Sequence, residues 1–209
     1  MRLLLVGATG LVGRQVLDLA LTDSRIDAVV APVRRNLPHH PKLLAPIVDF
    51  ERLPEGAERW RADAVICTLG TTMREAGSKE AFRRIDYEYP LAVARLARQH
   101  GVQTFVLNSA IGADPSSRFF YNRVKGEVER DLAKLGFRSL TMVRPGLIGG
   151  RRDEVRRGEQ VASLVLGLLH PILPRRVRIN PAGRIAQAMV DAAIAARPGM
   201  HFVGSAELT

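Results

Sequence analysis

Tyr121 and Lys125 stand four residues apart in Tyr121-Asn122-Arg123-Val124-Lys125, and Ser109 precedes the tyrosine by twelve residues. A spacing of four places the phenol and the ammonium on one face of a helix. The three groups together suit the reduction of a carbonyl, which needs a proton donor for its oxygen as hydride reaches its carbon. A tyrosine, ordinarily titrating near ~10, exchanges protons poorly at neutral pH, and a neighbouring cation favours the phenolate and narrows that gap. A serine hydroxyl can hold and polarise the carbonyl oxygen. Each residue alone has a plainer reading. Tyr-xxx-Lys is common on helix surfaces, and a serine after a strand serves equally as a turn residue or a helix cap. Their order behind a second motif is what sets them apart.

That motif opens the chain. Arg2-Leu3-Leu4-Leu5-Val6 reads as a buried strand, Gly7-Ala8-Thr9-Gly10-Leu11-Val12-Gly13 as a turn, and Val12, Val16, Leu17, Leu19 and Ala20 as the apolar stripe of a helix. Strand, glycine-rich turn and helix in this order form a nucleotide-binding βα unit. Gly7 and Gly10 let the turn bend and bring backbone N–H groups near a pyrophosphate, while Gly13 lets the helix lie close to the strand. The helix N-terminus adds partial positive charge and unpaired donors. The spacing is GxxGxxG, not the GxGxxG of many dehydrogenases.

The elements that must carry these residues follow from periodicity. Apolar β-type runs are expected at 3–6, 28–33, 46–48, 64–69, 104–107 and 140–143, with a short last one at 200–203. Helices are expected at 11–21, 79–100, 119–135 and 184–196. Alternating strands and helices with nearly continuous apolar strands predict an α/β fold: a doubly wound, mostly parallel sheet with helices on both faces, Rossmann-like, its ligand at the carboxyl ends of the strands. At 209 residues, a single domain is the expectation. Residues 149–181 break the rhythm with a charged loop, an apolar stretch at 160–169 and a Pro-rich turn; they read equally as a lid over the substrate or as an ordinary packed helix.

Composition narrows the function classes. The content is 46% hydrophobic and 25% charged, as in globular proteins, which argues against disorder. The glycine loop interrupts the opening apolar run too early for a secretory signal, and no apolar run is long enough to span a bilayer. The one cysteine, Cys67, excludes an intrachain disulfide and fits a reducing compartment, so a cytoplasmic location is expected. The net charge of +10 comes mostly from arginine. With no helix-turn-helix, zinc-finger or aromatic RNA-binding signature beside it, this charge argues for an anionic ligand rather than nucleic acid.

The chain resembles the short-chain dehydrogenases/reductases of the atypical, single-domain kind, and most of all their Tat-interacting-protein-like oxidoreductase branch. The likeness rests on Gly7 to Gly13, Arg34-Arg35, Val48-Asp49-Phe50, Cys67 to Thr72, Ser109 with Gly112-Ala113-Asp114, Tyr121 to Glu127, and Arg144-Pro145-Gly146. The resemblance implies that Ser109, Tyr121 and Lys125 are catalytic, and that Lys125 also holds the nicotinamide ribose. It implies cofactor contacts from Gly7, Thr9, Gly10, Leu11, Val12 and Gly13 at the pyrophosphate. Asp49-Phe50 would lie beside the adenine, Leu69-Gly70-Thr71 along the cofactor, and Pro145-Gly146 at the nicotinamide. No metal is implied. One departure stands out: where better-known members carry an asparagine that supports a proton relay, the nearest match here is Asp86.

Coenzyme choice has a physical argument. NAD sites usually set an acid at the end of the second strand, and NADP sites an arginine. Here the strand ends Val33-Arg34-Arg35, and two guanidiniums suit a 2′-phosphate in charge and geometry. NADP(H) is therefore expected over NAD(H). The expected activity is NADPH-dependent reduction of a small carbonyl substrate. Two alternatives stay open: an NADP(H)-binding regulatory module that contacts a partner protein, and a sugar-nucleotide epimerase-like enzyme. Self-association also stays open.

Overall fold

The structure is a computed structural model and describes residues 1–56, 60–149 and 179–209. Seven parallel strands form one sheet in the order β3-β2-β1-β4-β5-β6-β9: β1 (Arg2–Val6), β2 (Ala28–Val30), β3 (Leu43–Leu44), β4 (Ala64–Cys67), β5 (Thr104–Asn108), β6 (Ser139–Arg144) and β9 (Gly199–Gly204). A separate parallel pair joins β7 (Ile148–Gly149) to β8 (Asn180–Pro181). From β1 the chain runs outward through β2 and β3, then returns to lay β4 on the other side of β1. The strand order reverses there, and the crevice at such a reversal is where open α/β sheets bind ligands.

Strand residues alternate between two cores, as the period of two requires. Leu3, Leu5, Ala64, Ile66, Val106 and Val143 face helices α1 (Leu11–Thr22) and α6 (Ala182–Ala195). Leu4, Val6, Val65, Cys67, Phe105, Leu107 and Met142 face α4 (Tyr89–Gln99) and α5 (Phe120–Ala133). The doubly wound expectation holds. Cys67 is fully buried, and burial pushes its thiol up to about 12, which makes it core filler rather than a nucleophile.

Three expected elements need correction. The strand at 28–33 stops at Val30, because Pro32 has no N–H to give the ladder; Val33 rejoins through a single bridge to Ile47. The strand at 46–48 is replaced by β3 plus that bridge. The helix at 79–100 is not uniform: α3 (Lys79–Arg83) passes into a π-helical turn (Arg84–Glu88) and then into α4. Pro90 explains the widening. In an α-helix its nitrogen would meet the Asp86 carbonyl, but proline has no hydrogen to give, and the Tyr89 N–H reaches the Arg84 carbonyl five residues back. A short helix α2 (Met73–Ala76), closed by a Thr72/Glu75 capping box, was not anticipated. Of the stretch read as a lid or packed helix, residues 150–178, with the apolar run at 160–169, lie outside the described residues.

Candidate active site

The glycine loop has the shape its motif demands. Gly7 sits at φ +92°, and a Cβ there would lie 2.6 Å from Thr68 Oγ1 and 2.8 Å from the Thr68 carbonyl carbon. A Cβ on Gly13 would lie 2.0 Å from the Gly7 carbonyl oxygen, so no side chain can stand there without pushing α1 off β1. The Thr68 hydroxyl braces the turn from β4, 3.0 Å from the Val6 carbonyl and 3.1 Å from that of Gly7. Gly10 is different. It is the N-cap of α1, has an ordinary φ of −76°, and its Cβ would find only the Gly7 oxygen at 3.4 Å. Among the described residues nothing asks for glycine at 10, and no side chain caps this helix end. Thr9 and Gly10 are exposed, Leu11 is half-buried, and Val12 is buried beneath. Among the described residues the loop therefore offers a helix N-terminus that no side chain caps, which fits a pyrophosphate.

Arg34 and Arg35 are exposed just past the Val33 bridge, at the carboxyl end of the second strand's course. Asp49 is an exposed turn residue whose carboxylate accepts the Glu51 N–H at 2.9 Å. Phe50 is half-buried, with its ring centroid 5.7 Å from that of Tyr89. The Tyr89 hydroxyl donates to Glu51 at 2.6 Å, and burial together with that carboxylate pushes the phenol up to about 12. Leu69, Gly70 and Thr71 form the loop after β4, and the Thr71 N–H donates to Asp86 at 2.8 Å. Gly146 donates to the buried Asn180 side chain at 2.7 Å, and the Pro145 carbonyl accepts from Ile111 at 2.8 Å. These contacts fix the turn after β6 beside the loop after β5.

Tyr121 and Lys125 share a face of α5. Tyr121 is 36% exposed and packs on Phe82 with ring centroids 5.4 Å apart. Lys125 lies deeper, with its side chain 5% exposed, and its Nζ is 2.7 Å from Oδ1 of a fully buried Asp86. Burial pulls the lysine's pKa down, but the Asp86 charge and the neighbouring Tyr121 outweigh it, and the net shift is upward. Lys125 is thus a buried cation at neutral pH. Gly126 follows it because α5 lies tightly on the loop from β5: a Cβ there would be 2.2 Å from both the Asp114 carbonyl carbon and the Pro115 nitrogen.

Ser109 is placed differently from its two companions. It is buried, and its hydroxyl donates to Glu129 Oε1 at 2.5 Å. Glu129 is one helical turn beyond Lys125 and also takes two bonds from Arg144, at 3.0 Å and 2.5 Å. The Arg144 guanidinium in turn stacks 4.3 Å from the Phe202 ring centroid. The stripe Tyr121, Lys125, Glu129 runs down one face of α5, and Ser109 meets its third member. Glu129 was not singled out by sequence reasoning, and Arg144 entered only as part of the family likeness, with no role given to it. The signal was present in the spacing of Lys125 and Glu129 by four, but it reads equally as surface charge. Among the described residues no cluster of His, Cys, Asp and Glu could hold a metal ion, and no helix is long and apolar enough to cross a membrane.

Comparison with known proteins agrees with this architecture. Residues 7–162 match the protein family described as NAD(P)H-binding. Protein HTATIP2 of Rattus norvegicus is 38% identical over 170 residues, covering 79% of this chain and 70% of that protein. Protein FMP52, mitochondrial, of Eremothecium gossypii is 36% identical over 164 residues, covering 76% and 71%. Among solved structures, MoeE5 in complex with UDP-glucose and NAD superposes with a TM-score of 0.73 at 16% identity, covering 98% of this chain and 76% of that one. The oxidoreductase ylbE from Lactococcus lactis does so at 0.67 and 19%, covering 100% and 94%. Identities this low bear on the fold alone. The expectation of a cytoplasmic location is overturned: several relatives at 33–36% identity are proteins named as mitochondrial. A lone cysteine speaks of redox conditions and does not separate one reducing compartment from another. By sequence match the chain belongs to the NAD(P)H-binding family, with HTATIP2 and FMP52 among its relatives, and its fold is Rossmann-type.

Proposed function

We propose that the chain is an NADPH-dependent reductase of a small carbonyl compound. The observation that carries this is the half-exposed Tyr121 above a buried Lys125 that is kept charged by Asp86. A module that only holds a nucleotide has no need to bury a cation beneath a phenol. NADPH, when bound, supplies the hydride. The rest falls to the chain. The open helix N-terminus at Gly10 receives the pyrophosphate, and Arg34 and Arg35 meet the 2′-phosphate. Leu69, Gly70, Thr71, Pro145 and Gly146 border the cofactor. Tyr121 gives its proton to the carbonyl oxygen, and Lys125 favours the phenolate that is left. Ser109 could hold the carbonyl only after its hydroxyl turns from Glu129, so substrate orientation falls first to Tyr121.

A panel of aldehydes, ketones and quinones tests the reading, with NADPH oxidation followed by absorbance. Turnover of at least one class is expected. Calorimetric NADPH binding without any turnover would move the assignment to a nucleotide-holding regulatory module.

Coenzyme preference is tested by Arg34→Ala. Loss of one charge-assisted contact to phosphate costs about 1.5–3 kcal/mol. Calorimetry should therefore show NADPH affinity falling about tenfold or more with NADH affinity nearly unchanged; a native protein that binds NADH more tightly than NADPH contradicts the assignment.

Gly10→Val separates ligand from fold. The variant should fold, since the described residues leave room for a side chain at 10. It should lose the NADPH-induced stabilisation of the parent, about 2.7 kcal/mol at a hundredfold excess over Kd. An undiminished thermal shift would place the phosphates elsewhere.

A further inference from the structure

Asp86 is fully buried, and its two carboxylate oxygens face two different parts of the site. Oδ2 accepts the Thr71 N–H at 2.8 Å, and Oδ1 lies 2.7 Å from Lys125 Nζ. Gly70 passes directly over the pair: a Cβ there would be 3.3 Å from Asp86 Oδ1 and 3.6 Å from Lys125 Nζ. One carboxylate therefore ties the loop after β4 to the helix that carries Tyr121 and Lys125. The π-helical turn Arg84–Glu88 brings it there; such turns concentrate at functional sites.

From this geometry we infer that Asp86 is a positioning residue, which locks the Lys125 ammonium and the Leu69-Gly70-Thr71 loop into one fixed relation so that both meet the cofactor together. The inference rests on the reductase reading only for the role given to Lys125. Its physical ground is the cost of burying a charge. A lysine out of water loses its proton or leaves the interior unless a counter-charge meets it. Among the described residues three groups bear on Lys125: Asp86 from the π-helical turn, Tyr121 from its own helix, and Cys67 from β4. Of these only Asp86 is a carboxylate, and the Cys67 thiol, pushed up to about 12, is neutral at physiological pH. An asparagine at 86 could still accept the Thr71 bond, but it would bring no charge to the lysine. The side chain at this position thus decides whether the lysine is held by a direct ion pair or by neutral hydrogen bonds.

The test uses the four lysines of the chain, Lys42, Lys79, Lys125 and Lys134. Lysine labelled with ¹³C at Cε gives a sparse NMR spectrum, in which Lys125→Met assigns the Lys125 signal. In the parent that signal should keep its charged-form position through the alkaline range in which the fold survives. In Asp86→Asn it should titrate about two or more pH units lower, because burial is then no longer opposed by a carboxylate. NADPH affinity measured by calorimetry should fall about tenfold or more, the scale of one charge-assisted contact. If Asp86→Asn alone does not fold, the same change is made in the Lys125→Met background. There it should raise the urea midpoint relative to Lys125→Met, since it removes a buried carboxylate left without its counter-charge. An unchanged Lys125 titration in Asp86→Asn, or a lowered midpoint in the double variant, overturns the inference. Failure of the parent to bind NADPH would overturn the reductase reading instead, and the lysine titration and the midpoint would still judge the pair.

Discussion

Tyr121→Phe is expected to lower carbonyl reduction by about 10²–10⁴-fold, the usual worth of a positioned general acid. The change removes one oxygen and keeps the ring, so the packing of residue 121 on Phe82 survives and the fold should be undisturbed. NADPH affinity should also be nearly unchanged, since Lys125 and the glycine loop stay in place. The informative measurement is kcat against Kd for NADPH in one preparation. A variant that turns over like the parent would remove Tyr121 as proton donor and leave the fold assignment standing.

Lys125→Met should be the more destructive change. It deletes the counter-charge of a carboxylate that has no access to water, and breaking a buried pair from one side costs about 3–5 kcal/mol. Urea unfolding should show that loss as a lower midpoint with little change in slope. Turnover and NADPH binding should fail together, in contrast to Tyr121→Phe. A methionine variant as stable as the parent would mean that Asp86 finds another partner when the lysine is gone.

The glycine loop and the α5 motif were legible in the sequence because each is local: strand, turn and helix follow one another in Leu3 to Ala20, and Tyr121 and Lys125 share a helix face by spacing alone. The alternation of apolar strands with helices was legible for the same reason. What could not be read is what depends on a meeting of distant segments. The Ser109 hydroxyl finds Glu129 and through it Arg144 on β6, which makes this serine a buried donor in a three-element network. Spacing from Tyr121 could not reveal that direction. Asp86 drew notice only as a departure from an expected asparagine. Its contact with Lys125 depends on a turn wider than an α-helix, and periodicity assumes 3.6 residues per turn throughout. Pro90 was the available clue to that widening, since a proline inside a helical pattern always costs a backbone bond. The short course of β2 had a similar clue in Pro32.

The pairing of α1 with α6 has a consequence for how the protein is made. The apolar face of α1 (Val12, Val16, Leu17 and Ala20) is covered by Ala182, Ile185, Ala186, Met189, Val190 and Ala193 of α6. Thr22 ends the first of these helices and Ala182 begins the second, so 182 − 22 = 160 positions separate them. At ribosomal speeds of roughly 5–20 residues per second, α1 waits on the order of ten seconds for this cover. Throughout that interval the nascent chain carries a greasy stripe immediately beside its glycine loop. A chaperone that shields this stripe during synthesis would be holding the very segment on which the nucleotide site is later built.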